Sequence, residues 1–127
     1  MRSREAEWLR KATSSIIPEA DVKRYDIFWA ELDPTRGSEI AKTRPVVVVS
    51  LAILNEALAT VTVCPLTSQL HAGWRSRVQI RCDGKPAEIA VDQIRTISKQ
   101  RLGRKLDALS ESEASALRRV ITEMYGE

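Results

Sequence analysis

Apolar and polar residues alternate with different periods in different parts of the chain, and each period predicts a different element. Residues 3–12, SREAEWLRKA, are strong helix formers with little to bury beyond Trp8 and Leu9. Thr13, Ser14, Ser15 and then Pro18 stop that helix. This segment, residues 1–23, is expected to be an N-terminal helical arm appended to a domain over residues 24–127. From Asp26 the period falls to two. DIFWAELD sets Phe28, Ala30 and Leu32 on one face against Ile27, Trp29 and Glu31 on the other, which predicts a strand. PVVVVS, from Pro45, predicts a strand buried on both faces with the proline as its first residue, since proline cannot donate within a ladder.

LAILNEALA, residues 51–59, reads as a short helix or loop crossing. TVTVCPL follows as a β-branched strand closed by Pro65. RSRVQIRC alternates and pairs with AEIAVDQI across the turn DGKP, while IRTIS and GRKLDAL supply two further short strands. Ser110 and Glu113 form a capping box that opens a final helix. Along it Ala114, Leu117, Val120, Ile121 and Met124 recur at helical spacing as one stripe for packing on a sheet. Short strands at close intervals with one closing helix indicate a mainly β, α+β fold built on a small antiparallel barrel.

Composition adds bounds. The 127 residues suit one domain with its own core, and 43% apolar with 29% charged is ordinary for a globular chain. Net charge is only +3, but residues 68–105 hold nine Lys/Arg against three Asp/Glu, and residues 106–127 hold two against five. A basic middle suggests an anionic partner, although a solvated charged surface fits the same numbers. Cys64 and Cys82 lack zinc or CxxC spacing and are expected to be reduced packing residues of a cytoplasmic protein. No apolar stretch approaches the roughly 20 residues that span a bilayer, and the N-terminus has no signal-peptide core.

The usual chemistries find little support. His71 is the chain's one histidine, so a two-histidine acid–base pair is impossible within one chain, and a lone loop histidine reads as solvated. No cluster has metal spacing, and no phosphate-binding glycine loop or nucleophile elbow is present. What remains is arginine beside hydroxyls. Arg44 stands at the mouth of the valine strand, with Glu39 in the loop before it; Thr67 and Ser68 end a second buried strand. If the two strands are neighbours, a planar fork of donors and two hydroxyls meet at one rim, an oxyanion-type site for a phosphate. Capping hydroxyls and a surface salt bridge would produce the same spacing.

Longer matches narrow this choice. DIFWAELDPTRGSEIAKTRPVVVVS resembles the opening of the MazF/PemK toxin family, with its aspartate–proline turn, G-x-E loop and arginine–proline strand start. VTVCPLTSQ and AVDQIRTISKQRLGRKL are similar to that family's second and third signatures, in the same order, over residues 25–125. The resemblance implies an SH3-like barrel that forms a homodimer and cuts single-stranded RNA as a metal-independent endoribonuclease without a cofactor. It implies a small acidic MazE-type antitoxin as partner. Carried over by position, the catalytic residues fall on Arg44, Thr67 and Glu39, and the DQI segment near the dimer groove falls on Asp92, Gln93 and Ile94. Arg36, Lys42, Ser68, Gln69, Trp74, Arg75, Arg77, Arg81, Gln93 and Arg95 are the candidates for RNA contact, with Gln69 and Asn55 among those suited to read bases. The family commonly has Gly where this chain has Tyr25, so the entrance loop is expected to differ. A non-catalytic nucleic-acid-binding or DNA-regulatory barrel is the competing reading.

Overall fold

The computed structural model describes residues 22–32 and 42–126. The expected helical arm and the loop that carries Arg36 and Glu39 lie outside the described residues. The elements run β1 Asp26–Leu32, β2 Lys42–Val48, α1 Ala52–Ala57, β3 Thr60–Thr67, β4 Arg77–Cys82, β5 Lys85–Ala90, β6 Arg95–Ser98, β7 Leu102–Ala108 and α2 Glu111–Tyr125. Short 3-10 turns at Val91–Gln93 and Lys99–Arg101 flank β6. The strands order β4-β5-β3-β2-β1-β7, with β6 also on β3, and every pair is antiparallel. The sheet curls so far that the tip of the β4–β5 hairpin meets β7: the Asp83 N–H donates to Asp107 Oδ2 at 2.8 Å. This is the expected small curled antiparallel sheet with a C-terminal helix.

The valine run explains the layering. Val47 and Val49 point into one core cluster with Ile27, Cys64, Leu66, Ile89 and Leu117; Val46 and Val48 point into a second with Val22, Phe28, Leu32, Val61 and Val63. A strand that is dry on both faces belongs at a sheet centre, and β2 sits between β1 and β3. Both cysteines are free and buried, and burial pushes the Cys64 thiol up to about 12 and the Cys82 thiol to about 11.

Two boundaries differ from the sequence reading. Pro45 does not begin its strand; β2 starts at Lys42, and Pro45 pairs with Trp29. The β2–β3 ladder begins only at Val46 opposite Pro65, so the position without an N–H falls where β2 has one neighbour. Pro65 likewise does not close β3, which continues to Thr67. It lies between the stretch of β3 paired with β6, Thr60–Val63, and the stretch paired with β5, Leu66–Thr67.

The hairpin turn is Asp83-Gly84, both at positive φ (53° and 78°), the combination that matches strand twist in a two-residue loop. Tyr25 also has positive φ, 75°. That is the conformation glycine adopts without a Cβ penalty. Here the strained backbone is held by the Tyr25 N–H to Val48 O at 2.6 Å and by the Leu109 N–H to Tyr25 O at 3.0 Å. The ring lies against Arg24 and Arg118 at the end of β2 opposite Arg44, so this departure does not border the Arg44 rim.

Helix α2 has the full capping box, with Ser110 Oγ accepting the Glu113 N–H at 3.1 Å. Leu117 is completely buried and Ala114 nearly so; Val120 and Ile121 pack at the margin, and Met124 is exposed rather than part of the seal. Leu117→Ala should therefore cost about 2–5 kcal/mol in urea unfolding, whereas a loss under about 0.5 kcal/mol, the surface range, would show that the helix is not seated on this core.

Candidate active site

The site is built from a row of cross-strand neighbours. Thr67 on β3 pairs with Glu88 on β5, and Glu88 pairs with Gln79 on β4. Arg44 lies two residues before Val46, where the β2–β3 pairing ends, and Thr67 lies two residues after Val46's partner, Pro65. Opposed residues share a face, and faces alternate along each strand. Thr67, Glu88 and Gln79 thus form one row, and alternation puts Arg44 on the face of β2 that carries Val46 into the second core, just past the end of the β2–β3 pairing. Arg44 and Thr67 are half-buried. The Thr67 oxygen accepts the Gln69 N–H at 3.1 Å, which turns the chain sharply after β3 and directs the hydroxyl hydrogen away from that bond.

Glu88 is fully buried, and four donors converge on it. Oε2 takes Arg77 Nη1 at 2.6 Å and faces His71 Nδ1 at 3.2 Å; Oε1 takes Gln79 Nε2 at 2.7 Å and the His71 backbone N–H. Arg77 also reaches Asp92 through Nε at 2.8 Å. Burial pushes the Glu88 carboxyl up, but the hydrogen bonds from His71, Gln79 and Arg77 prevail and hold it at about 2. Burial likewise pushes Asp92 up, and bonds from Arg77 and Ser76 hold it below the usual carboxylate range. Over this network lies the loop after β3, where the His71 ring stacks on Trp74 at 4.0 Å and Arg77 sits 4.7 Å over the Trp74 ring.

The expectation of a solvated His71 is thus corrected, because its backbone and ring are both bound to Glu88. Sequence reading missed Glu88 altogether. The signal was an acid inside AEIAV, set opposite Gln79 by the hairpin. Asn55 is corrected too: it is completely buried, bonded to Ser50 and to the Val22 carbonyl, and turned away from any base.

The other candidates scatter. Ser68 and Gln69 follow Thr67 and are exposed, and Trp74 is half in solvent. Arg77 is not on an exposed face; its side chain is 6% exposed and its charge is matched by two carboxylates. Arg75 pairs with Glu123 of α2 at 3.0 Å. Arg81 bonds the Gly84 carbonyl at the far end of the hairpin. Arg95 stands opposite Val63, four residues along β3 from Thr67, and Gln93 is half-buried in the turn before it. Lys42 is exposed at the start of β2. Among the described residues no group of three or more His, Cys, Asp or Glu is arranged to hold a metal ion, and no helix is long and apolar enough to cross a membrane.

The lowered Glu88 carboxyl links stability to pH. Its contribution is complete above its ordinary value of 4.5 and is lost as pH falls toward 2. At neutral pH it amounts to roughly 3 kcal/mol. Glu88→Gln should lower neutral-pH stability by about that amount and flatten the fall in stability across this acid range; unchanged acid unfolding curves would contradict the assignment.

Comparison with known proteins places the chain among relatives. Residues 23–125 match the family described as PemK-like, MazF-like toxin of type II toxin-antitoxin system. Endoribonuclease MazF of Staphylococcus epidermidis is 36% identical over 97 residues, covering 72% of this chain and 81% of that protein. The fold is similar to crystal structures from Deinococcus radiodurans: MazF, with a TM-score of 0.73 at 21% identity over 83% of this chain and 96% of the other, and MazE-MazF, with 0.68 at 20% identity over 82% and 95%. The chain belongs to the PemK-like, MazF-like toxins of type II toxin–antitoxin systems.

Proposed function

We propose that this chain is a metal-independent endoribonuclease that cleaves single-stranded RNA through attack of the substrate's own 2′-OH, leaving a 2′,3′-cyclic phosphate and a 5′-OH. What supports this reading is that Arg44 and Thr67 each lie two residues past the last β2–β3 pair, Val46 and Pro65, in a chain of this family. RNA brings its nucleophile with it, so the protein's task is alignment and charge stabilisation. Arg44 grips the phosphate oxygens with its planar fork and stabilises the charge added as phosphorus becomes five-coordinate. Thr67, whose oxygen is already occupied by the Gln69 N–H, donates its hydrogen to the same oxygens. Glu39, in the loop before β2, is the group that accepts the 2′-OH proton.

Ser68, Gln69 and Trp74 follow Thr67 directly and supply base contacts, with Trp74 as a stacking surface. The active species is a homodimer. The inhibitor is a small acidic antitoxin that complements the basic stretch over residues 68–105; a relative in this fold has been seen as a MazE-MazF structure.

Arg44→Ala should slow cleavage of a long single-stranded RNA in EDTA by about 10²–10³ while leaving the circular dichroism spectrum intact. Arg44→Lys should not restore it, because a point charge lacks the fork. Cleavage by Arg44→Ala at the wild-type rate would sink the proposal.

A further inference from the structure

We propose that His71, anchored by the buried Glu88, is the acid that protonates the departing 5′-oxygen. The proposal rests on the endoribonuclease reading above and assigns to it a group that the resemblance to the family does not supply.

Position comes first. Glu88 is the register partner of Thr67 on the same sheet face, with Cβ atoms about 5 Å apart. The loop that leaves Thr67 is pulled back onto that row because Glu88 accepts both the His71 backbone N–H and its ring. The imidazole is therefore held against Glu88, the residue that neighbours Thr67 across the sheet. A general acid has to be positioned near the leaving oxygen, and this anchoring holds the ring beside the polar row.

Chemistry comes second. Glu88 is completely buried, whereas the His71 side chain is 32% exposed, so the pair has a dry anchor and a wet end. Nδ1 faces the carboxylate, which leaves Nε2 as the nitrogen that can meet RNA. Arg77 Nη1 donates to Glu88 Oε2 at 2.6 Å and lies 3.4 Å from Nδ1. With a proton on Nδ1, both nitrogens donate to that one oxygen. The fixed charges around the ring are Glu88 and Asp92, both negative, and Arg77, positive. They sum to one negative charge beside the ring. Stacking on Trp74, with planes 24° apart, fixes the ring's orientation.

In the step itself the 2′-OH gives up its proton to the base of the proposed reaction as its oxygen bonds to phosphorus, and the bond from phosphorus to the 5′-oxygen breaks. The proton on His71 Nε2 passes to that departing oxygen, which leaves as a neutral hydroxyl. The imidazole is left uncharged and regains a proton from water. Arg44 and Thr67 hold the phosphate oxygens throughout. A positioned acid of this kind contributes about 10²–10⁴ in rate.

The test uses two RNA substrates of one sequence, one normal and one with sulfur in place of the bridging 5′-oxygen at the cleaved bond. A thiolate leaves without a proton. His71→Ala, and His71→Asn, which keeps an amide donor toward Glu88 but no acid, should each cut the normal RNA at least about 10²-fold more slowly than wild type. Both should cut the sulfur RNA at close to the wild-type rate. A wild-type rate for either variant on normal RNA would overturn the assignment. So would an equal loss on both substrates, which would mark His71 as a purely structural residue. Wild-type protein inert on both RNAs would instead overturn the nuclease reading on which the assignment depends.

Discussion

Everything in this sheet is placed by one strand that must be dry on both faces. Val46 to Val49 are sealed alternately into two cores, so β2 can lie only between two other strands, with layers above and below. The sealing ends at Val46 and Pro65, where two prolines fall at positions with a single neighbouring strand. Immediately beyond them the same face turns polar. Arg44 and Thr67 emerge there, on backbone that the packing of the valines has already fixed. Preorganised donors are effective because they need not be rearranged when charge develops, and a rim anchored by two rigid strands meets that condition.

The second constraint is electrostatic. A wholly buried carboxylate is costly unless its lone pairs are met, and Glu88 is met by donors from β4 and from the loop after β3. Satisfying that charge folds the loop onto the sheet beside Thr67, so the cost of burial and the position of His71 have one origin. The Tyr25 backbone shows the opposite kind of arrangement. Its left-handed conformation is held by two backbone hydrogen bonds at the far end of β2, and it leaves the polar row untouched.

Much of this was legible in the residues. Alternation gave the strands and their faces, the four valines announced the central strand, and S-x-x-E marked the start of the last helix. Arg44 and Thr67 stood out as candidates because each borders a dry segment. The rest was hidden for identifiable reasons. A proline normally ends a strand, and only the partner register shows that Pro45 and Pro65 sit where a neighbour is missing. Alternation assigns Glu88 to a face but does not say that a loop will cover that face, so the acid in AEIAV and the solitary His71 gave no sign of touching. Asn55 looked like a base reader for the same reason, since nothing local reports that Ser50 and Val22 will enclose it. The positive φ at Tyr25 leaves no trace in the side chain at all.

The central claim is that the substrate supplies the nucleophile and the protein supplies the charge. The most direct test is to map both ends of every fragment made from a mixed single-stranded RNA pool in EDTA. The account predicts 2′,3′-cyclic phosphate and 5′-OH ends at a short shared sequence. Fragments with 3′-OH and 5′-phosphate ends, or cleavage that appears only when a divalent metal is restored, would contradict it.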